Sequence, residues 1–249
     1  MKIFAIIPSR YESSRFEGKP LARILGKPMI QWVYERTQKA DIELADVFVA
    51  TDDQRIMDVV KGFGGKAVMT SPAHRSGTDR IAEAAQITGI GMDDLVLNVQ
   101  GDQPAFHSQC LKELVEPFDA QPGIVMSTLV FPIVNPEEKT DPKHVKTVMD
   151  ADGFALYFSR ATIPHDRDKA GGIDLYKHLG FYAYKRRFLE LFRSLPEGNL
   201  ERIEKLEQLR ALEYGYRIKV VVSAFDSPEV DVPEDITRIE SWLGTQSQE

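Results

Sequence analysis

The sequence predicts an α/β protein: a doubly wound, mostly parallel sheet with an antiparallel extension forming a smaller lobe. Three observations carry this. Over the first 120 residues, four short apolar runs of β-formers alternate with segments of helical periodicity, the pattern of βαβ crossovers. After about residue 120 the strand-like runs crowd together around the Pro-rich stretch FPIVNPEEKTDP, which suits antiparallel pairing along one sheet edge. No repeat or low-complexity linker divides the 249 residues, so the chain reads as a single domain over 1–249 with an inserted lobe at about 125–190.

The elements follow in order. Residues 3–7 (IFAII) form a continuous apolar run ended by Pro8, as expected of a strand buried on both faces. Pro28 opens a helix whose Ile30, Val33, Tyr34 and Thr37 fall on one stripe. A strand over 46–50 leads to Thr51, read as the cap of a helix that runs to Lys61 and stops at Gly62. Residues 66–69, 78–88, 95–99 and 108–118 read as strand, helix, strand and helix. Strands are expected at 125–130, 145–149, 154–158 and 180–184, then helices at 186–194 and 203–213, a strand at 218–222 and a helix at 233–242.

With 31 Lys and Arg against 38 Asp and Glu, the formal net charge is −7, which argues against nucleic acid as a partner. The lone Cys110 cannot close an internal disulfide and reads as a buried small residue in a reducing compartment. The start MKIFAIIPSR carries an apolar run too short for a signal peptide or membrane span, so the expectation is a cytoplasmic protein with no membrane insertion.

Three loops could carry chemistry. SRYESSRFEGKPL follows the first strand and sets Arg10, Ser13, Ser14, Arg15, Gly18 and Lys19 within ten residues, at the strand end where open α/β sheets bind ligands. Three cations with small residues can wrap an oligophosphate, although the loop is neither a Walker A motif nor a dinucleotide fingerprint. GFGGK at 62–66 follows a helix and precedes a strand, and reads as a helix C-cap and turn. HRSGTDR at 74–80 offers the amides of Ser76, Gly77 and Thr78 and the carboxylate of Asp79 for close approach to a base or ribose, and it is equally an ordinary N-cap. QGDQP at 100–104 stands directly after a buried strand, which makes Asp102 a candidate magnesium ligand. Asp231 in EVDVPEDI is its natural partner, or else the cap of the helix beginning at Pro233. The five histidines show no paired zinc spacing.

The ordered segments RYESSRFEGKPL, VATDDQRI, HRSGTDRIAE, NVQGDQP, YFSRATIP, YKHLGFYAY, EKLEQLRALE and VDVPEDI, spread over about 230 residues, resemble the CMP-Kdo synthetases, the 3-deoxy-manno-octulosonate cytidylyltransferases. The resemblance implies a Rossmann-like nucleotidyltransferase core and a cytoplasmic homodimer. It implies transfer of CMP from CTP to an eight-carbon acid sugar for lipopolysaccharide biosynthesis, with Mg²⁺ held by Asp102 and Asp231. Arg10, Ser14, Arg15, Lys19, Arg75, Ser76, Gly77 and Asp79 would bind the nucleotide. Arg10 and Lys19 would act in catalysis beside the two aspartates. Gln100, Gln103, Arg160, His178, Tyr182, Glu207 and Gln208 would face the sugar, with Arg160 on its carboxylate. The chain departs from the family at Gln103, usually Glu, at Glu229, usually Gly, and at Val232, usually Thr. QGDQP together with SAFDSPEVD is more like the branch that activates 8-amino-3,8-dideoxy-manno-octulosonate. A transferase for another acid sugar such as sialic acid, or a silent CTP-binding sensor, are the alternatives.

Overall fold

The computed structural model describes residues 1–12, 15–74, 76–168 and 174–246. Among them, nine strands build one sheet: β1 (Ile3–Ser9), β4 (Leu44–Thr51), β5 (Ala67–Met69), β6 (Leu95–Asn98), β7 (Met126–Pro132), β8 (Lys146–Met149), β9 (Ala155–Ser159), β10 (Tyr176–Lys185) and β11 (Lys219–Val222). A separate hairpin pairs β2 (Arg23–Ile24) with β3 (Lys27–Pro28). The main path runs β11-β7-β10-β6-β1-β4-β5. β5, β4, β1 and β6 are parallel neighbours, and β11 is parallel to β7. β10 runs antiparallel between β6 and β7, and β8 and β9 extend the sheet as the antiparallel flank.

Helices cover both faces, as the continuous apolar strands require. Ala5 and Ile7 of β1 pack with Val33 of α1 (Met29–Gln38), Val60 of α2 (Gln54–Gly62) and Leu114 of α4 (Gln109–Ala120). Ile6 faces the opposite way, into the layer holding Ile81 and Ala85 of α3 (Gly77–Ile87) and Phe188 and Leu189 of α5 (Arg186–Ser194). Each Val, Leu, Ile or Phe among them, withdrawn from water, contributes about 1.5–3 kcal/mol. A third cluster joins the hairpin residue Ile24 to Ile239 and Leu243 of α8 (Asp235–Gln246). Cys110 is buried with its Sγ 3.6 Å from Ser223 Oγ, and burial pushes the thiol up to about 11.

Sequence and structure differ where long-range contacts decide. Thr51 stays in β4, and Asp53 caps α2 by accepting from Arg55 N at 2.9 Å. The helix expected over 203–213 is two pieces, α6 (Asn199–Glu204) and α7 (Leu209–Glu213), broken where Lys205 takes a left-handed backbone. The final helix begins at Asp235 rather than Pro233.

The strand expected at 180–184 extends to 176–185 because it contains a bulge. His178 pairs with Val130 and Tyr182 with Thr128, so Leu179, Gly180 and Phe181 all face Leu129. Gly180 supplies the positive φ of 77° this needs. Three side chains take the displaced carbonyls: Gln103 Nε2 bonds Leu179 O at 2.8 Å, Gln100 Nε2 bonds Gly180 O at 2.6 Å, and Thr128 Oγ1 bonds Phe181 O at 2.7 Å.

The strand order reverses at β1, whose crossovers lead outward to β4 and β5 while β6 returns on its other side. The loops after β1 and β6 therefore part at their carboxyl ends and open a crevice. Gly101 lets them touch at its floor, since a Cβ there would stand 2.8 Å from the Pro8 carbonyl oxygen. Gly101→Ala is expected to cost about 1–3 kcal/mol in urea unfolding and to slow turnover; unchanged stability would show that the loop yields freely.

Candidate active site

Two cavities open from this crevice. The first, about 1070 Å³, is lined by the loop after β1 (Arg10, Tyr11, Arg15 and Lys19), the tip of β4 (Asp52), and Arg80 and Asp102. The second, about 600 Å³, lies over the β10 bulge and is lined by Gln103, Arg160, His178, Tyr182, Glu207, Gln208 and the segment 226–231. Both share Pro8, Arg15, Gly77, Gln100 and Asp102. Ser14 and Arg75 lie outside the described residues.

The junction is electrostatic. Lys19 Nζ lies 2.7 Å from Asp102 Oδ2 and donates to Val230 O at 3.0 Å. Arg15 Nη2 lies 3.0 Å from Asp231 Oδ1. Val230 N donates to Asp102 O at 2.9 Å, tying the tip of β6 to the segment after β11. The Asp235 carboxylate accepts from the amides of Asp231 and Val232 at 2.8 and 3.0 Å, which fixes the turn before α8, while the Asp231 side chain is turned to Arg15.

In the first cavity, Gly18 holds a φ of 69° over the Tyr11 ring, and the Arg55 guanidinium stacks 3.2 Å from that ring's centroid. Ser76 Oγ accepts from Asp79 N at 3.1 Å and caps α3, whose first residue, Gly77, lines both cavities. Asp79 lies in this first turn and is not in the lining of either cavity. Sequence reasoning assigned nothing to Arg80, which is 1 % exposed and fixed by Thr70 Oγ1 and Asp52 Oδ2, each at 2.6 Å. Its signal lay in the same motif, an arginine one turn into a helix that opens on the crevice.

The second cavity is rich in charge. Lys177 Nζ bridges Glu138 at 2.7 Å and Asp226 at 2.8 Å. Glu207 Oε2 accepts from Thr78 Oγ1 at 2.6 Å, and burial pushes Glu207 above the usual carboxylate range. Glu207 Oε1 and Gln208 Nε2 are buried without a hydrogen-bond partner among the described residues. Asp141 accepts from Lys143 N at 2.9 Å. The Gln103 amide is held at both ends, since its Oε1 also accepts from Ser227 Oγ at 2.7 Å. Arg160 lines the cavity while giving Nε to Glu204 O at 2.8 Å and Nη1 to Pro142 O at 2.9 Å, which binds α6 to the antiparallel flank. Glu229 was noted in the sequence only as a departure. Burial and the like charges of Asp102 and Asp231 push it up to about 7.

Because Thr128 spends its proton on Phe181 O, His178 Nε2, 2.8 Å away, is the donor in their contact. Burial lowers the ring's pKa to about 3, which keeps it neutral, so Nδ1 is an acceptor, with no hydrogen bond to it among the described residues.

Parallel strands that end on a cationic loop, beside two carboxylates facing an adjoining polar cavity, define an α/β nucleotidyltransferase. The chain belongs to the cytidylyltransferase family, whose model matches residues 4–219. It is 63% identical over 246 residues to the 3-deoxy-manno-octulosonate cytidylyltransferase of Desulfatibacillum aliphaticivorans, covering 99% of this chain and 100% of that one. It is 58% identical to the 8-amino-3,8-dideoxy-manno-octulosonate cytidylyltransferase of Shewanella amazonensis, with 98% and 99% covered. A solved structure of CMP:2-keto-3-deoxy-manno-octonic acid synthetase complexed with CTP superposes with a TM-score of 0.92 at 39% identity, over 99% of this chain and all of that one.

The neutral His178 has a consequence for stability. The unfolded chain takes up a proton near pH 6.5 that the folded ring refuses until about pH 3, so stability is lost as pH falls below about 6.5. From pH 7 to 5 this amounts to about 2 kcal/mol. Urea unfolding of the protein and of His178→Asn at both pH values is expected to show the loss shrinking by that amount in the variant; an equal loss in both would place the acid sensitivity elsewhere.

Proposed function

We propose that the protein transfers CMP from CTP to the anomeric hydroxyl of an eight-carbon acid sugar, 3-deoxy-manno-octulosonate or its 8-amino-3,8-dideoxy counterpart, in lipopolysaccharide biosynthesis. The hydroxyl oxygen attacks the α-phosphorus, the bond to the β-phosphate oxygen breaks, and pyrophosphate leaves as the hydroxyl proton passes to solvent. The observation that carries this is the pair of adjoining cavities, one roomy enough for a nucleotide and one for a sugar, which share Asp102 and Arg15. The names of the relatives support the choice of sugar.

Arg10, Arg15 and Lys19 neutralise the phosphates, and Arg80 holds the wall of the nucleotide cavity. Such transfers depend on positioning and charge more than on a protein nucleophile. The donor set fits magnesium. Asp102 and Asp231 offer hard oxygens, and the described residues group no three His, Cys, Asp or Glu side chains that could hold a metal by themselves, so the ion would need oxygens from the substrate and from water as well. When bound, the ion neutralises charge at the α-phosphate and lowers the pKa of the attacking hydroxyl. Asp102 and Asp231 would hold it, and Lys19 and Arg15, which pair with these carboxylates here, would be released to the phosphates. On the sugar side, His178 Nδ1 accepts from a hydroxyl, and Glu207 Oε1 and Gln208 Nε2 offer an acceptor and a donor.

The same reading carries residues 125–190 as the lobe for sugar binding and dimerisation. Support comes from β9, which pairs only with β8 among the described strands and exposes Leu156. It also carries a homodimer and a cytoplasmic location, in keeping with described helices none of which is long and apolar enough to cross a membrane.

Pyrophosphate release from CTP with each candidate sugar, sialic acid included, tests the proposal. Asp102→Asn and Asp231→Asn are each expected to lose about 10³-fold or more in rate with the fold intact; near-normal rates at saturating magnesium would contradict the metal role. Lys19→Ala and Arg15→Ala are expected to weaken CTP use by about 1.5–3 kcal/mol and to affect sugar use far less. The reverse pattern would mean that the loop after β1 does not grip phosphate.

A further inference from the structure

A threonine in or just after a helix can spend its hydroxyl proton on the carbonyl one turn back. Thr37 and Thr88 do so, donating to Val33 O at 2.8 Å and to Ala84 O at 2.7 Å. Thr78, the second residue of α3, has no helical turn behind it. Its side chain is buried with the residue 3% exposed, and its hydroxyl donates instead to Glu207 Oε2 at 2.6 Å, a partner 129 residues along the chain. A hydrogen bond to an ionised carboxylate is about twice as strong as one between neutral groups.

Glu207 has few other holds. It lies in the link between α6 and α7, two residues after the left-handed Lys205. Its cationic neighbour Arg210 is clasped by Glu201, with Nε on Oε2 at 2.7 Å and Nη2 on Oε1 at 2.5 Å, and stays 3.7 Å from Glu207 Oε1. Oε2 is thus tied to the first turn of α3, where the Ser76 side chain is also close to the carboxylate. Oε1 is buried without a hydrogen-bond partner among the described residues, and Glu207 lines the second cavity.

We propose that Thr78 is a positioning residue for the acceptor sugar: its hydroxyl anchors one oxygen of Glu207 so that the other is presented to a sugar hydroxyl. This rests on the cytidylyltransferase reading above. Thr78 belongs to the cluster 74–80, from which the sequence led us to expect contacts with a base or ribose, yet it lines the second cavity and not the first. A carboxylate fixed through one oxygen is already ordered when the sugar arrives, so binding does not bear the entropy of ordering it. Without the hydroxyl, Oε2 is left buried and unpaired, and the carboxylate is free to leave this orientation.

Pyrophosphate release with CTP, magnesium and either sugar gives KM for both substrates in the protein and in Thr78→Val, Thr78→Ser, Glu207→Ala and the double variant Thr78→Val with Glu207→Ala. Thr78→Val is expected to raise the KM for the sugar roughly 10- to 100-fold and to leave the KM for CTP unchanged. Thr78→Ser, which keeps the hydroxyl, is expected to restore sugar use. The double variant is expected to lose no more than Glu207→Ala alone, because the two side chains act as one unit. An unchanged sugar KM in Thr78→Val, equal rises in both KM values, no recovery in Thr78→Ser or additive losses would each overturn the proposal. A crystal structure of the unaltered protein with the sugar bound reads the same contact whether or not the valine variant folds. Glu207 Oε2 is expected to remain on Thr78 with Oε1 on a sugar hydroxyl, and a Glu207 turned away from Thr78 would overturn the proposal. Those outcomes leave the cytidylyltransferase reading standing; pyrophosphate release with neither sugar from the unaltered protein would defeat that reading as well.

Discussion

The reversal of strand order at β1 is the constraint on which the site depends. Crossovers from β1 toward β4 and β5 place α1 and α2 on one face, while α3 covers the other face on the way to β6. The loops that leave β1 and β6 must separate, and the space between them faces the carboxyl ends of the parallel strands. The loop after β1 brings cations and the loop after β6 brings Asp102. Antiparallel β10 enters the sheet beside β6 with its amino end at the same rim, so His178 and Tyr182 reach the crevice from a strand that runs the other way.

On the proposed function, charge pairing across this crevice is exchanged when the nucleotide binds. Lys19 and Asp102 are 15% and 31% exposed, and Arg15 is more exposed still. Each pair keeps one partner open to water, Asp102 at 31% and Arg15 at 59%, which weakens it and would ease replacement of the carboxylate by phosphate oxygens. A deeply buried pair would resist the exchange, because losing one partner strands the other. Arg80 with Asp52 illustrates that case: the arginine is almost wholly enclosed and serves as a fixed wall.

Much of this was legible in the sequence. The runs IFAII, DVFVA and LVLNV are apolar because both faces of those strands are covered, and that alone pointed to a parallel α/β core. The clusters after β1 and β6 were legible because ligand loops at strand ends must carry their charges close together in sequence. What escaped depended on distant partners. Nothing local distinguishes the amides of Gln100 and Gln103 as struts of a bulge formed 80 residues later. Lys205 gave no sign of a helix break, since a lysine in a left-handed turn is tolerated only where the surrounding packing holds it. Arg80 drew no assignment from the sequence, because Thr70 and Asp52 close around it only in the fold.

The central claim is that the two cavities meet at a metal held between Asp102 and Asp231. Anomalous diffraction from crystals grown with CTP and Mn²⁺ in place of Mg²⁺ tests it most directly. The account predicts a manganese peak within coordination distance of both carboxylates and of the α-phosphate, with Lys19 and Arg15 turned to the phosphates. A peak on the outer phosphates alone, with the Lys19–Asp102 and Arg15–Asp231 pairs intact, would contradict it.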